Sequence, residues 1–299
     1  MKITIDSERR PIRTPQAWVL RRLWAVAFVA CSFAALSGCK NEKAPQAAPE
    51  ATAAAAPTAP APQAEDAAPP APSGDRVLAD IYGDAKAGEF WFGRTFRLGD
   101  RRYRVGFASS LVEPAPTAED RSDAPEGAVS ISQVTYVLDG SEWRKLSTAK
   151  DIGRFGANDQ APVVETDDDA AAEFSDAARY LLAVPAWHTE MGGVEMHTAE
   201  VFAFDSAANA WTYVGSIYTG ENDDAGCTDE GKTVSGAACT ASAGELKFAA
   251  NAQTGFPDIS VIRSGTTLGN DGRARTLGAA DAVRYVYSAE SGEYRESQK

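Results

Sequence analysis

Apolar positions fall into three regimes along this chain. Residues 23–35 (LWAVAFVACSFAA) are an almost unbroken apolar run, residues 40–74 hold eight prolines and no aromatic side chain, and beyond about residue 75 apolar and polar positions alternate. A period of two is the pattern of half-buried β-strands. Arg94–Leu98 and Arg102–Phe107 flank the turn dipeptide Gly99-Asp100 and predict a hairpin. Val129 and Ile131 share one strand face, whereas Val134, Tyr136 and Leu138 share a face displaced by one residue, so a bulge is expected near Ser132-Gln133. Asp139-Gly140 then turns the chain into Glu142–Leu146. Residues 167–178 are ambiguous between a short helix and a loop entering a strand.

The strongest β segment runs from Arg179 to Thr219. Tyr180–Trp187 is apolar on both faces, as a buried central strand would be, although Pro185 argues for a bulge or a sheet edge. Met191-Gly192-Gly193 turns the chain, after which Val194, Met196, Phe202 and Phe204 alternate on one face. Asp205–Asn209 leads into Trp211, Tyr213 and Ile217, completing a three-stranded antiparallel meander. Further strands are expected at 245–250, 257–263 and 282–288. Four hairpins share the order apolar strand, polar turn, aromatic: Phe96–Tyr103, Tyr136–Trp143, Phe204–Trp211 and Tyr287–Tyr294. An aromatic just after a turn can pack across its hairpin. The first residues of the four lie 40, 68 and 83 apart, so the echo has no fixed period. The expected fold class is all-β, mainly antiparallel meanders, built either as a β-propeller-like body or as an irregular β-sandwich.

Three segments follow from this pattern. Residues 1–38 read as a signal peptide, because scattered positive charge ending in Arg21-Arg22 precedes an apolar run too short to span a bilayer comfortably. The Arg-Arg pair also suits twin-arginine export, although its neighbours fit that route poorly. Residues 39–74 read as a disordered Pro/Ala tether with polyproline-like stretches, since nothing in them could form a core. Residues 75–299 are expected to form a single β-rich domain.

The apolar run closes on Leu36-Ser37-Gly38-Cys39. That run resembles the lipobox of bacterial lipoproteins, in which a small residue precedes a cysteine that becomes the lipidated first residue. The resemblance implies cleavage between Gly38 and Cys39, acylation of Cys39 and attachment to a membrane through the lipid. Two or more acyl chains hold stably, at about 0.8 kcal/mol per buried methylene. Lys40 stands where an aspartate would retain an enteric lipoprotein in the inner membrane, so the outer membrane, facing the periplasm, is the expected location.

Charge and cysteine usage narrow the partners. The formal net charge is −13. Loss of 1–38 removes six basic and two acidic residues, leaving 23 basic against 40 acidic side chains, a net −17. Such a field repels phosphate backbones and argues against nucleic acid. Of the four cysteines, Cys31 lies in the apolar run and Cys39 is the lipid acceptor. Cys227 and Cys239 then remain in a polar loop, and in an oxidising compartment they read as a disulfide, the alternative being two free thiols.

Phe204–Trp211 and Gly255–Gly265 (GFPDISVIRSG) resemble the strand pieces of integrin-type FG-GAP propeller repeats, where a G-x-x-D-I/L-x-V run is typical. That resemblance implies fold more than calcium binding, because the family's Asp/Asn loop survives only as Asn270-Asp271-Gly272 and, out of register, Asn222-Asp223-Asp224. The overall layout is also similar to that of envelope lipoproteins that act as inhibitors of, or immunity proteins against, cell-wall hydrolases.

Chemistry-bearing residues are sparse. His188, His197, Met191 and Met196 fall within ten residues on two adjacent strands, and imidazole with thioether suits copper, although Met196 is in phase with the apolar face and His197 points the other way. Glu221, Asp223, Asp224, Asp229 and Glu230 crowd the cysteine loop and suit either calcium or, as a solvated acidic surface, a basic partner. No G-x-S-x-G, H-E-x-x-H, P-loop or dinucleotide fingerprint is present, and no cofactor is implied. The expected function is a non-catalytic envelope lipoprotein presenting its domain to a periplasmic protein or envelope partner. The alternatives are an envelope hydrolase using His188 or His197, and a calcium- or copper-sensing module.

Overall fold

A computed structural model describes residues 69–112, 127–165, 171–190, 193–228, 230–233, 236–269 and 271–297; the signal segment, Cys39, most of the Pro/Ala stretch and Met191 lie outside them. Fourteen strands among the described residues form three antiparallel sheets. Sheet 1 runs in chain order through β1 (Glu89–Leu98), β2 (Arg101–Ser110), β3 (Val129–Asp139) and β4 (Glu142–Phe155). Sheet 2 holds β5 (Val163–Val164), β6 (Ala172–Ser175), β7 (Arg179–Thr189), β8 (Glu195–Asp205) and β9 (Ala210–Asn222), with β5 and β6 both pairing β7. Sheet 3 holds β10 (Ser242–Ala249), β11 (Asp258–Leu268), β12 (Ala274–Thr276), β13 (Val283–Ser288) and β14 (Glu293–Glu296).

The sheets are stacked, and the alternation of side chains across each strand shows how. In β7, Tyr180, Leu182 and Val184 meet Phe96, Val105 and Phe107 of sheet 1 in one core, while Leu181 and Ala183 meet Ile259 and Val261 of sheet 3 in another. Sheet 2 is therefore buried on both faces, which is why its central strand carries no polar face. The outer face of sheet 1 is closed by α1 (Gly74–Tyr82), whose Val77, Leu78 and Ile81 pack on Ala108, Val134 and Tyr136. The layers are thus helix, sheet, sheet, sheet. Antiparallel meanders are present as expected, and they form a layered sandwich with no closure into a propeller.

Three local expectations change on contact with this stack. No phase slip occurs in β3: Val129, Ile131 and Val137 face sheet 2, and Val134 and Tyr136 face the helix, so both apolar sets are real faces. The expected bulge is present in the ladder between Ile131 and Gln133, but its extra residues are in the partner strand β4, where pairing jumps between Gly153 and Ala149 and Asp151 adopts φ 54°; a second shift falls between Thr135 and Tyr136. Ser130 Oγ donates to Asp151 Oδ1 and holds that conformation. Pro185 sits within a five-stranded sheet, yet its ring nitrogen faces the gap between β5 and β6, where no N–H is needed. Its carbonyl on the same side accepts the Glu165 N–H at 3.0 Å.

The helix was not legible in the alternation. Ser73 caps it by accepting the Arg76 N–H, and Gly83 ends it at φ 83° with its N–H on the Ala79 carbonyl. Its approach to sheet 1 depends on Gly106, since a β-carbon there would overlap Val77. The described chain begins at Pro69, inside the stretch read as tether, and the Pro69 carbonyl accepts Trp143 Nε1 at 3.3 Å.

Three of the four hairpin echoes are direct cross-strand pairs: Phe96 with Tyr103, Phe204 with Trp211 and Tyr287 with Tyr294. In the fourth, Tyr136 faces Lys145 and Trp143 faces Leu138 instead. The first two hairpins meet between sheets 1 and 2, where Phe96 lies 4.2 Å from the Tyr180 ring and 5.5 Å from Trp211.

Candidate functional site

Beyond their shared core, sheets 2 and 3 part to leave a cleft of about 900 Å³. Val163 and Glu165 at β5, Trp187 of β7 and His197 of β8 line one side, and Ser242, Gly244 and Leu246 of β10 line the other. Strand geometry selects these groups: Trp187 and His197 are cross-strand partners, so both emerge on the sheet 3 face. His197 Nδ1 lies 2.9 Å from Glu165 Oε1. With side chains 26% and 40% exposed, the pair is worth at most about 1 kcal/mol to the fold, but it fixes the ring's orientation.

The floor of the cleft is a close crossing of β9 and β10. Gly220, the partner of His197, abuts the Ser242 carbonyl, and Gly244 abuts Thr219 and Val261, so neither position has room for a β-carbon. Ser242 Oγ accepts the Glu221 N–H at 3.1 Å, tying the two strands together. This serine lines the same cleft as the His197–Glu165 pair, but its hydroxyl oxygen is engaged with β9.

His188 does not join His197. It pairs with Met196 and therefore lies on the opposite face of sheet 2, with Nε2 3.8 Å from Glu190. The two histidines cannot share one copper ion across the sheet. The cysteine loop is likewise structural. Cys227 and Cys239 form a disulfide closing a 12-residue separation, worth about 3 kcal/mol in the chain-entropy account. Asp223, buried beside it, accepts the Thr240 N–H at 2.7 Å. Asp223, Cys227 and Cys239 place ligand atoms within 4.8 Å of one another, but the two sulfurs are bonded together and offer no thiolate. Asp229 and the Asp224 side chain lie outside the described residues, whereas Glu221 pairs with Met196 and so lies on the His188 face of sheet 2. In the FG-GAP-like segment, Asp258 accepts from Asn251 Nδ2 at 2.9 Å and from Arg284. Asp271 accepts the Arg273 N–H.

A second polar cluster, unseen in the sequence, lies on the sheet 1 side of sheet 2. Glu200 is 2% exposed and accepts hydroxyls from Thr198 at 2.8 Å, Ser216 at 2.9 Å and Tyr213 at 2.6 Å. Burial pushes its pKa above the usual 4.5, against the pull of the three hydroxyls and the charge of His188. A raised folded-state pKa gives a stabilising contribution that is complete below the unfolded value and is lost as pH rises through the folded one. Glu200→Gln should therefore flatten the pH profile of stability, with the wild type gaining on the variant as pH falls towards 4.5. Urea midpoints across the acid range measure this; a parallel pair of profiles would contradict it.

No protein family, curated protein or solved structure matches the chain.

Proposed function

We propose that the chain is a bacterial envelope lipoprotein whose β-rich domain is a non-catalytic binding module, with the cleft between sheets 2 and 3 as its working face. The lipobox-like Leu36–Cys39 run supports export and acylation at Cys39, and the Pro/Ala stretch after it supports reach from the outer membrane into the periplasm. The observation that carries the binding reading is the cleft itself, large enough for several side chains of a partner and lined by Trp187 and an oriented His197–Glu165 pair. In its sharper form the module inhibits, or gives immunity to, a cell-wall hydrolase.

Two measurements test this. Cys39→Ala should move the protein from the membrane fraction to the soluble periplasm; unchanged fractionation would contradict acylation at that residue. Full-length protein used as bait on envelope extracts should retain a defined protein that Trp187→Ala fails to retain. Equal retention by both would remove the cleft from the account. The hydrolase reading is favoured by one feature, the His197–Glu165 pair, and predicts hydrolysis of peptidoglycan or esters that His197→Gln abolishes.

A further inference from the structure

The outer face of sheet 1 sets two cations against each other. On the β1–β2 hairpin, Arg97 and Arg102 are direct cross-strand partners. Phe96 and Tyr103, beside them, point into the core shared with sheet 2, so both arginines point the other way. Like charges placed directly opposite destabilise a sheet. Among the described residues neither guanidinium forms a hydrogen bond or an ion pair. The carboxylates at this end of the sheet serve other groups: Asp80 accepts from Tyr136 at 2.8 Å and Lys145 at 2.9 Å, and Asp139 lies 3.3 Å from Arg144. Arg104 stands on the same face opposite Tyr136, and Arg76 of α1 lies over that ring at 5.1 Å. The chain also enters the domain here. Trp143, packed on this face, donates to the Pro69 carbonyl, and its own carbonyl accepts from Arg76 at 3.0 Å. Cys39 stands only 30 positions before Pro69.

We propose that the outer face of sheet 1 rests on the anionic phosphate headgroups of the bilayer that holds the acyl chains, with Arg97 and Arg102 as its main contacts. The inference rests on the lipoprotein reading and says how the anchored domain is turned. A phosphate between the two guanidinium forks offsets their mutual repulsion and accepts hydrogen bonds from both. The chain's net negative charge opposes a general attraction to such a surface, so contact is confined to the face where unpaired arginines project. The contact need not be strong, because a covalent tether entering on the same face holds the domain at high effective concentration beside the membrane. The cleft lies beyond sheet 2 from this face, and so stays open to the periplasm when sheet 1 is down.

Co-sedimentation with vesicles tests the inference on the acyl-free chain 39–299 carrying Cys39→Ser, which keeps every residue of the three cores. It should partition onto vesicles of phosphatidylcholine mixed with phosphatidylglycerol, not onto phosphatidylcholine alone, and should be released as salt rises. Arg97→Gln with Arg102→Gln should lower the partition about thirtyfold, at about fivefold per charge. Lys247→Gln with Arg273→Gln, which removes the same charge from sheet 3, should leave it nearly unchanged. Equal losses in the two double variants, or equal binding to both kinds of vesicle, would overturn the proposal. Release by inorganic phosphate, where sodium chloride of equal ionic strength has no effect, would assign the arginines to a soluble anion and overturn the membrane contact. If the acyl-free chain binds no anionic vesicle while Cys39→Ala still frees the protein from the membrane fraction, the anchor stands and this inference alone fails.

Discussion

Trp211→Ala should cost about 3–5 kcal/mol, enough to consume much of the stability of an ordinary domain. Trp211 is 3% exposed at the meeting of sheets 1 and 2, with its ring 5.4 Å from Phe107, 5.3 Å from Phe204 and 6.0 Å from Tyr180. Its indole N–H also crosses between the sheets, donating to Thr135 Oγ1 at 3.0 Å. That oxygen belongs to a buried hydroxyl which itself donates to Gln133 Oε1 at 2.9 Å. Truncation therefore opens a cavity in a rigid aromatic cluster and removes the one donor that ties this polar pair to sheet 2. Trp211→Phe should restore most of the packing but not the hydrogen bond, and so fall between the two. Denaturant unfolding separates the cases; a loss below about 1 kcal/mol for the alanine variant would contradict the packed seam between the sheets.

Gly220→Ala should be nearly as damaging, for a different reason. The added carbon would overlap the carbonyl carbon and oxygen of Ser242, which are backbone atoms with no rotamer to change. Relief requires β9 and β10 to separate, breaking the Asn222–Ala241 bridge and the Ser242 Oγ contact with the Glu221 N–H. Overpacking of this kind typically costs 1–3 kcal/mol, and a backbone clash belongs at about the upper end. The same displacement reshapes the cleft, so any ligand of the cleft should be lost along with stability. Gly278→Ala serves as the control, because nothing lies within 4 Å of a β-carbon there. Equal stability of the two variants would show that the crossing is looser than described.

Most strands were readable because a period of two is local: each residue needs only its neighbours two along to declare a face. The disulfide was readable because reading Cys31 and Cys39 as parts of a lipobox-like segment left a single pair. The order of layers was not, since alternation says that a face is buried without saying by what. Val134 and Tyr136 looked like a phase slip for that reason, when α1 was covering them. The helix itself is nine residues beside a Pro/Ala tract, and its cap signals at Ser73 and Gly83 were lost in that composition. At the site, His197 and Trp187 were visible as residues, but Glu165 was not. It sits 32 positions from His197 next to a two-residue strand, and only the sheet brings them together. The two histidines were not separable in the sequence, yet the rule that found the strands divides them, with His188 and Met196 on one face and His197 on the other.

The central claim is that the domain meets its partner through the cleft between sheets 2 and 3. A photo-crosslinking amino acid placed at Val163 or Trp187, on the cleft wall, and at Arg101, in the sheet 1 hairpin, tests it in living cells. The account predicts one discrete adduct from both cleft positions and none from Arg101. Adducts of equal yield from all three positions, or an adduct from Arg101 alone, would contradict it.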